Sequence, residues 1–231
     1  MVSEILLLAS NSPRRRELIK LTGWPFSIRP ANVDESALPG ETPADYVVRV
    51  AETKAKAVLG ASVFQLGLVL ACDTIVVDGT VLLGKPSNKE DARSMLTRLR
   101  GRVHQVLSAI VVFHPGSERI ERDLCSTDVP MRDYSDAEID AYIATGDPMD
   151  KAGAYAVQHT GFHPVENLRG CYASVMGLPL CHLTRTLKTF DMYPDVDIPT
   201  ACQSALGYQC PVHPAVLQGL PSVQAEARRI E

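Results

Sequence analysis

The chain has 231 residues, 45% of them hydrophobic, and a formal net charge of −4. This length supports a sizeable hydrophobic core, and the slightly acidic balance gives no general attraction to nucleic acid or to an acidic membrane surface. The sequence shows no secretion-type leader and no stretch of 18 apolar residues, so we expect a soluble, cytoplasmic protein with no membrane partner.

Six cysteines are scattered along the chain, and without a secretion signal they favour reduced thiols over a disulfide framework. Cys202, Cys210 and His213 could in principle bind zinc. Their spacing fits no common zinc-ligand pattern, so ordinary thiols are the favoured interpretation.

In chain order, the predicted elements alternate between strands and helices, which indicates a mixed α/β fold without internal repeats. The first half contains a strand over Glu4–Ala9, a helix over Pro13–Leu21, a strand over Phe26–Arg29, a helix from Thr42-Pro43 to about Leu59, a strand over Leu68–Cys72, and an Asp78-Gly79 hairpin turn before Val81–Leu83. The second half contains a helix opened by the capping box Ser87-x-x-Glu90 and running to Arg100, strands over Val103–Phe113 and Leu124–Arg132, a helix opened by Ser135-x-x-Glu138 and ending near Gly146, and a last helix over Leu178–Thr189.

Periodicity fades after Phe190, where Pro, Gly and Cys become more frequent. We therefore predict one domain over residues 1–189 and a peripheral C-terminal tail over residues 190–231.

The segment from Ser10 to Arg16 places three cations in the first turn of the first predicted helix. Ser12 is a good N-cap and Pro13 a good first helical residue, so the helix start is well marked. Cations are unfavourable at a helix N-terminus unless an anion lies among them. Strand, hydroxyl-bearing turn and guanidinium groups together predict a phosphate site, although a solvated basic turn is an equal alternative for this segment alone.

Other polar residues occur at positions that need a reason. Asp73 and Thr74 follow the apolar run Leu68–Cys72, and strand ends in open α/β sheets are where ligands bind. Taken alone, a turn or capping aspartate is the slightly favoured alternative. Lys54 lies within the apolar stripe of its predicted helix, which suits either an outward-reaching lysine or an inward anionic partner. Lys85 lies in a stiff turn, Gly84-Lys85-Pro86, for which a simple surface loop is an equal alternative. Asp34-Glu35 could bind a hard cation together with Asp73, although an acidic loop pair alone is usually solvated.

Seven spaced motifs together resemble the Maf family of nucleotide pyrophosphatases, from about Leu6 to Lys188. Each motif is weak alone, but their order is specific. They are Ala9-Ser10-Asn11-Ser12-Pro13-Arg14-Arg15, Val33-Asp34-Glu35, Glu52-Thr53-Lys54-Ala55, Asp73-Thr74, Gly84-Lys85-Pro86, Asp150-Lys151-Ala152-Gly153-Ala154-Tyr155 with Gln158, and Gly177-Leu178-Pro179-Leu180.

The resemblance implies a two-lobed α/β fold with a mixed sheet, like that of the inosine triphosphate pyrophosphatases, with the nucleotide in the cleft between the lobes. It also implies hydrolysis of a nucleoside triphosphate to the monophosphate and pyrophosphate, with a divalent cation (Mg²⁺, Mn²⁺ or Co²⁺); a homodimer stays open. Asp73 is expected to be the general base or a metal ligand, with Glu35 as its companion on the metal. The expected triphosphate contacts are Ser10, Arg14, Arg15, Lys54 and Lys85; Lys151 is assigned either to phosphate or to a structural ion pair.

Three positions resemble the family's dTTP/UTP branch: Arg14 after Ser-Pro, Thr74 after the key Asp, and Gln158 after the Lys-Ala-Gly-x-Tyr motif. The branch that acts on 7-methyl-GTP differs there and is disfavoured. An amide at position 158 can also offer a pyrimidine both a donor and an acceptor. We therefore expect Arg14, Thr74 and Gln158 to contact a pyrimidine base.

Two alternatives remain open at this point. A nucleotide-binding regulator of septum formation could keep the cations but would not need Asp73 and Glu35, so their joint presence favours an enzyme. A pyrophosphatase of a non-canonical purine triphosphate would keep the fold, and Thr74 and Gln158 argue against it only through the resemblance.

Overall fold

The computed structural model describes residues 6–58 and 67–220. The strands in these ranges are β1 (Leu6–Leu8), β2 (Phe26–Ile28), β3 (Leu68–Asp78), β4 (Val81–Leu83), β5 (Val103–His114) and β6 (Arg119–Pro130). The helices are α1 (Pro13–Lys20), α2 (Pro43–Ala57), α3 (Lys89–Leu99), α4 (Asp136–Ala144), α5 (Tyr172–Met176), α6 (Leu180–Lys188), α7 (Ile198–Leu206) and α8 (His213–Leu217). None of these helices is both long and apolar enough to cross a membrane.

The strands form one mixed sheet in the order β2-β1-β3-β5-β6, which confirms the predicted α/β class. β1 is parallel to β2 and to β3, whereas β3, β5 and β6 are antiparallel to their neighbours. β5 pairs with one edge of β3. On the other edge β1 pairs with Leu68–Leu70 and β4 with Val76–Asp78. Residues 71–75 therefore have no strand partner on that edge, and this gap contains Asp73 and Thr74.

One face of the sheet carries two separate hydrophobic cores. The first core packs Leu70 and Ile110 against α1 and α6, and the second packs Val76 and Val106 against α3 and α4. Helix α2 packs along the opposite face of the sheet. The two cores share the strands β3, β5 and β6 and meet on either side of a cleft, so the structure has the two-lobed form that the resemblance implied.

Two predicted element boundaries needed correction. The strand predicted to end at Cys72 continues to Asp78, so Asp73 and Thr74 lie inside β3 and not at its end. The helix predicted to open with Ser87 has Asn88 as its N-cap, because the Asn88 side chain accepts from the Asp91 N–H. Ser87 instead donates to the Asp91 carboxylate.

The capping box of Ser135 and Glu138 is confirmed at the start of α4. The predicted strand start at Glu4 and helix end at Leu59 lie outside the described residues. α6 is not the last helix, since α7 and α8 follow it within the predicted tail. Ile198, Val212 and Val216 of that region are buried in the first core, whose apolar surface they cover.

Candidate active site

A cleft of about 740 Å³ lies between the two cores, where the edge of β3 has no partner. It brings together residues from α1, α2, β3, the turn after β4 and the loop after α4. With the exception of Asp34, the site residues predicted from the sequence line it: Ser10, Arg14, Arg15, Glu35, Lys54, Asp73, Thr74, Lys85, Lys151 and Gln158.

Lys54 binds two carboxylates from distant parts of the chain. Its Nζ lies 2.7 Å from Asp73 Oδ1 and 2.7 Å from Glu35 Oε1. Lys54 and Asp73 are buried, whereas the Glu35 side chain is 50% exposed. The lysine in the apolar stripe of α2 therefore has an inward anionic partner, one of the two explanations that the sequence left open.

The Asp73 carboxyl is the buried member of this group. Burial raises its pKa above the ordinary aspartate value, while the charges of Lys54 and Arg15 act in the opposite direction. An aspartate with a raised pKa holds a proton more firmly than an ordinary one, which makes it a better general base near neutral pH. The position thus has the protonation chemistry expected of a catalytic carboxylate.

Arg15 reaches from the first turn of α1 into the cleft. Its Nε donates to the Gly177 carbonyl at 2.8 Å, Nη1 to Ser10 Oγ at 3.3 Å and Nη2 to Thr74 Oγ1 at 3.1 Å. The helix begins as predicted, with Ser12 accepting from the Arg15 N–H. A guanidinium fixed by three neutral acceptors keeps its full positive charge and has two further N–H groups for an anion.

Arg14 and Lys151 share one carboxylate. Arg14 Nη1 lies 3.3 Å from Asp150 Oδ2, and Lys151 Nζ lies 2.6 Å from Asp150 Oδ1. Lys151 also bonds the side chain of Asp147 at 2.9 Å and its carbonyl at 2.6 Å. The structural ion pair is thus the assignment of Lys151 that the geometry supports.

Lys85 and Gln158 lie on the side of the cleft formed by the second core. The turn that carries Lys85 is tied to the following loop by a hydrogen bond from the Gly153 N–H to the Gly84 carbonyl at 3.0 Å. Gly153 has φ +68°, and a Cβ there would lie 2.9 Å from Val76 Cγ2. Only glycine fits so close to β3 in this conformation, which brings the loop leading to Gln158 against the strand that carries Asp73.

Sequence reasoning missed residues that hold the predicted ones in place. Tyr46 donates to the Glu35 carbonyl at 2.8 Å, and Arg49 bonds both the Glu41 carboxylate and the Ser36 carbonyl, which fixes the acidic loop onto α2. Ser108 lies next to Thr74 across the sheet. Its only sequence signal is a single hydroxyl in the apolar run of β5.

The carboxylates of the cleft suit a hard divalent cation whose other ligands come mainly from the substrate. Asp73 and Glu35 each give one oxygen to Lys54, and among the described residues no group donates a hydrogen bond to their second oxygens. No cluster of three or more ligating side chains that could hold a metal occurs within residues 6–58 and 67–220. Two carboxylates completed by phosphate and water are what Mg²⁺ commonly takes.

Several known proteins are similar to this chain. The profile of the family described as "Maf-like protein" matches residues 5–190. A "dTTP/UTP pyrophosphatase" of Anaeromyxobacter dehalogenans strain 2CP-1 is 50% identical, over 79% of this chain and 92% of that protein. Proteins with the same name from Pseudoalteromonas atlantica and Dehalococcoides mccartyi strain BAV1 are 44% and 41% identical, over 81% and 82% of this chain and 98% and 84% of theirs. Among solved structures, the Ham1 protein of Staphylococcus aureus aligns at a TM-score of 0.42 and 14% identity, over 71% of this chain and 81% of that one.

Proposed function

The chain belongs to the Maf family, and from this membership and the cleft we propose that it is a nucleoside triphosphate pyrophosphatase that hydrolyses dTTP and UTP to the monophosphate and pyrophosphate. The observation that carries the proposal is the meeting of a buried carboxylate and a set of cations in one cleft. The enzyme is favoured over a binding-only regulator because a phosphate-binding protein would have no use for the Asp73 and Glu35 carboxylates.

The cations of the cleft bind and orient the triphosphate. Arg15, held by three acceptors, directs its free N–H groups to phosphate oxygens, and Lys85 adds charge from the opposite side of the cleft. Arg14 joins them when phosphate replaces Asp150 on its guanidinium. Such preorganised cations also stabilise the negative charge that develops on the leaving pyrophosphate.

Asp73 accepts the proton of the attacking water. Its carboxylate is held in place by Lys54, whose charge opposes the rise in the Asp73 pKa that burial causes. The water attacks the α-phosphorus, the bond between the α-phosphorus and the bridging oxygen breaks, and pyrophosphate leaves. The proton taken up by Asp73 then returns to solvent.

Family membership implies a divalent cation, and Glu35 with Asp73 would hold it here. When bound, the cation would neutralise phosphate charge and make the α-phosphorus more electrophilic. Tyr46 and Arg49 support this arrangement by fixing the loop that presents Glu35. Further parts of the proposal are pyrimidine contacts from Thr74 and Gln158 and a cytoplasmic location, which the six unpaired thiols support.

A substrate panel with pyrophosphate as the readout tests the function. UTP, dTTP, ITP and 7-methyl-GTP are compared with Mg²⁺, Mn²⁺ or Co²⁺ present, and Asp73→Asn serves as the inactive control. We expect dTTP and UTP to be preferred by roughly tenfold to hundredfold, since an unpaired buried polar group costs about 1–3 kcal/mol. A preference for ITP or 7-methyl-GTP would refute the pyrimidine assignment, and absence of pyrophosphate release from every substrate would refute the enzyme.

A further inference from the structure

A row of hydroxyl groups crosses the sheet between the two cores. Thr74 of β3 is paired in register with Ser108 of β5, and both side chains point to the face that carries the cores. Ser108 is fully buried, whereas Thr74 is partly exposed and lines the cleft. The backbone of α5 lies over Ser108, whose hydroxyl reaches the Ser174 carbonyl at 2.8 Å.

The direction of each hydrogen bond in this row is determined. The Ser174 carbonyl can only accept, so the single hydroxyl hydrogen of Ser108 is used on it. Ser108 must then accept from Thr74, whose Oγ1 lies 2.9 Å from Ser108 Oγ. The Thr74 oxygen in turn accepts from Arg15 Nη2 at 3.1 Å. The chain of donation runs from Arg15 to Thr74 to Ser108 to the Ser174 carbonyl.

This direction fixes what Thr74 can offer to a ligand. A hydroxyl has one hydrogen and two lone pairs, and Thr74 gives its hydrogen to Ser108 and one lone pair to Arg15. A single lone pair remains, so Thr74 acts toward the cleft as a hydrogen-bond acceptor. A phosphate oxygen, which also only accepts, finds no donor there.

We propose that Ser108 is a positioning residue for substrate choice: by taking the Thr74 hydrogen, it makes Thr74 an acceptor for the imide N3–H of uracil or thymine and unfavourable for cytosine, whose N3 is an acceptor. The inference rests on the proposed function and extends it to the distinction between two kinds of pyrimidine.

Gln158 cannot make this distinction alone. Its amide carries a donor and an acceptor that exchange places when the group rotates by half a turn, so it can adapt to the edge of uracil or of cytosine. Discrimination between uracil and cytosine requires a group whose role as hydrogen-bond donor or acceptor is fixed. Thr74 is such a group because the bond from Ser108 to the Ser174 carbonyl is buried and cannot be replaced by water.

The experiment compares kcat/KM for UTP and CTP in the wild type, Ser108→Ala and Thr127→Val. Ser108→Ala frees the Thr74 hydroxyl to turn its hydrogen into the cleft, so CTP gains a donor and the UTP/CTP ratio falls by about tenfold. Thr127→Val is the matched control: it removes another fully buried hydroxyl beneath α5, one that bonds the Ser174 side chain at 3.4 Å and does not touch Thr74. Its ratio stays at the wild-type value.

The ratio separates positioning from general damage, because a loosened fold lowers both rates together. An unchanged ratio in active Ser108→Ala, an equal fall in Thr127→Val, or a wild type that cleaves UTP and CTP equally well would each overturn the inference and leave the pyrophosphatase standing. A wild type that releases no pyrophosphate from UTP would instead overturn the proposed function itself.

Discussion

Two buried lysines on the same cleft each bind two carboxylates, but with opposite consequences. Lys54 joins Asp73 and Glu35, which come from separate parts of the chain, whereas Lys151 joins Asp147 and Asp150, its near neighbours in one turn. Both lysines are 8% exposed. The difference between the two groups lies in the carboxylates.

Burial dominates at Asp73 and raises its pKa. At Asp147 and Asp150 burial is the largest single influence as well, and alone it would raise the pKa. The hydrogen bonds and charges of neighbouring groups, chiefly Tyr142 and Lys151 at Asp147 and Lys151 and Arg14 at Asp150, outweigh it, so both pKa values are lowered. Each group contains one lysine and two carboxylates, yet among the three aspartates only Asp73 has a raised pKa, which suits it to take up a proton. The Lys151 group is instead a structural ion-pair cluster, in which both aspartates hold a proton less firmly than an ordinary aspartate.

The largest expected effect comes from Asp73→Asn. Loss of the proton acceptor should lower turnover by roughly two or more orders of magnitude. The melting temperature should change little, since the amide fills the same space. Steady-state pyrophosphate release and thermal unfolding measure the two quantities, and a folded variant with near-normal turnover would remove Asp73 from its assigned role.

Glu35→Gln should have the next largest effect. We expect roughly a tenfold to hundredfold loss at low metal concentration, because one of two charged ligands is lost. Raising the concentration of Mg²⁺ or Mn²⁺ should restore part of the activity. A metal titration of both proteins checks this, and equal metal dependence in the two would exclude Glu35 as a ligand.

Lys54→Met and Lys151→Met form a matched pair that addresses the comparison directly. The Lys54 charge lowers the Asp73 pKa, so its loss should raise that pKa further. Because Asp73 acts when ionised, the acid limb of the kcat/KM profile should move to higher pH, with a loss of roughly tenfold near neutral pH.

Lys151→Met should leave the acid limb in place and lower the free energy of unfolding by about 1–2 kcal/mol through lost charged hydrogen bonds. Rate profiles between about pH 5 and 9, together with denaturant unfolding, distinguish the two variants. If the acid limb of the kcat/KM profile also shifts in Lys151→Met, the two lysines do not differ in their effect on Asp73 and the comparison is refuted.

Asp150→Asn should have the smallest effect. The Asp150 side chain is 61% exposed, so its ion pairs with Arg14 and Lys151 should contribute under about 1 kcal/mol, and Lys151 keeps Asp147. Asp147→Asn is the comparison, since Asp147 is less exposed and also accepts from Tyr142 at 2.6 Å. Chemical denaturation should therefore find it the more damaging change, and the reverse order would show that Asp150 is the main anchor.

The sequence predicted most of the elements but misplaced the site within them. A polar pair after Leu68–Cys72 looks like the end of a strand, yet β3 continues because its backbone stays paired with β5 through Val77. The gap between β1 and β4 on the other edge depends on pairings between distant segments, which local patterns do not encode. Ser108 was missed for the same reason, since its importance comes from the opposite residue in the register.

The site residues were predicted more completely than their partners. All of them except Asp34 line the cleft, but the sequence left the partner of Lys54 open and gave Lys151 two assignments. Charge pairing depends on side-chain placement across the fold, which motif spacing alone does not give. The roles of all these residues in binding and catalysis stay predictions.

The sharing of strands by the two cores has a mechanical consequence. A hinge concentrates motion in a few unpaired residues, but β3 and β5 are paired along nine consecutive positions and β5 and β6 along twelve. The two sides of the cleft are therefore joined by a continuous hydrogen-bonded sheet and not by a flexible linker. Movement of one core relative to the other requires twisting of the sheet, which spreads the deformation over many hydrogen bonds and favours a return to one shape.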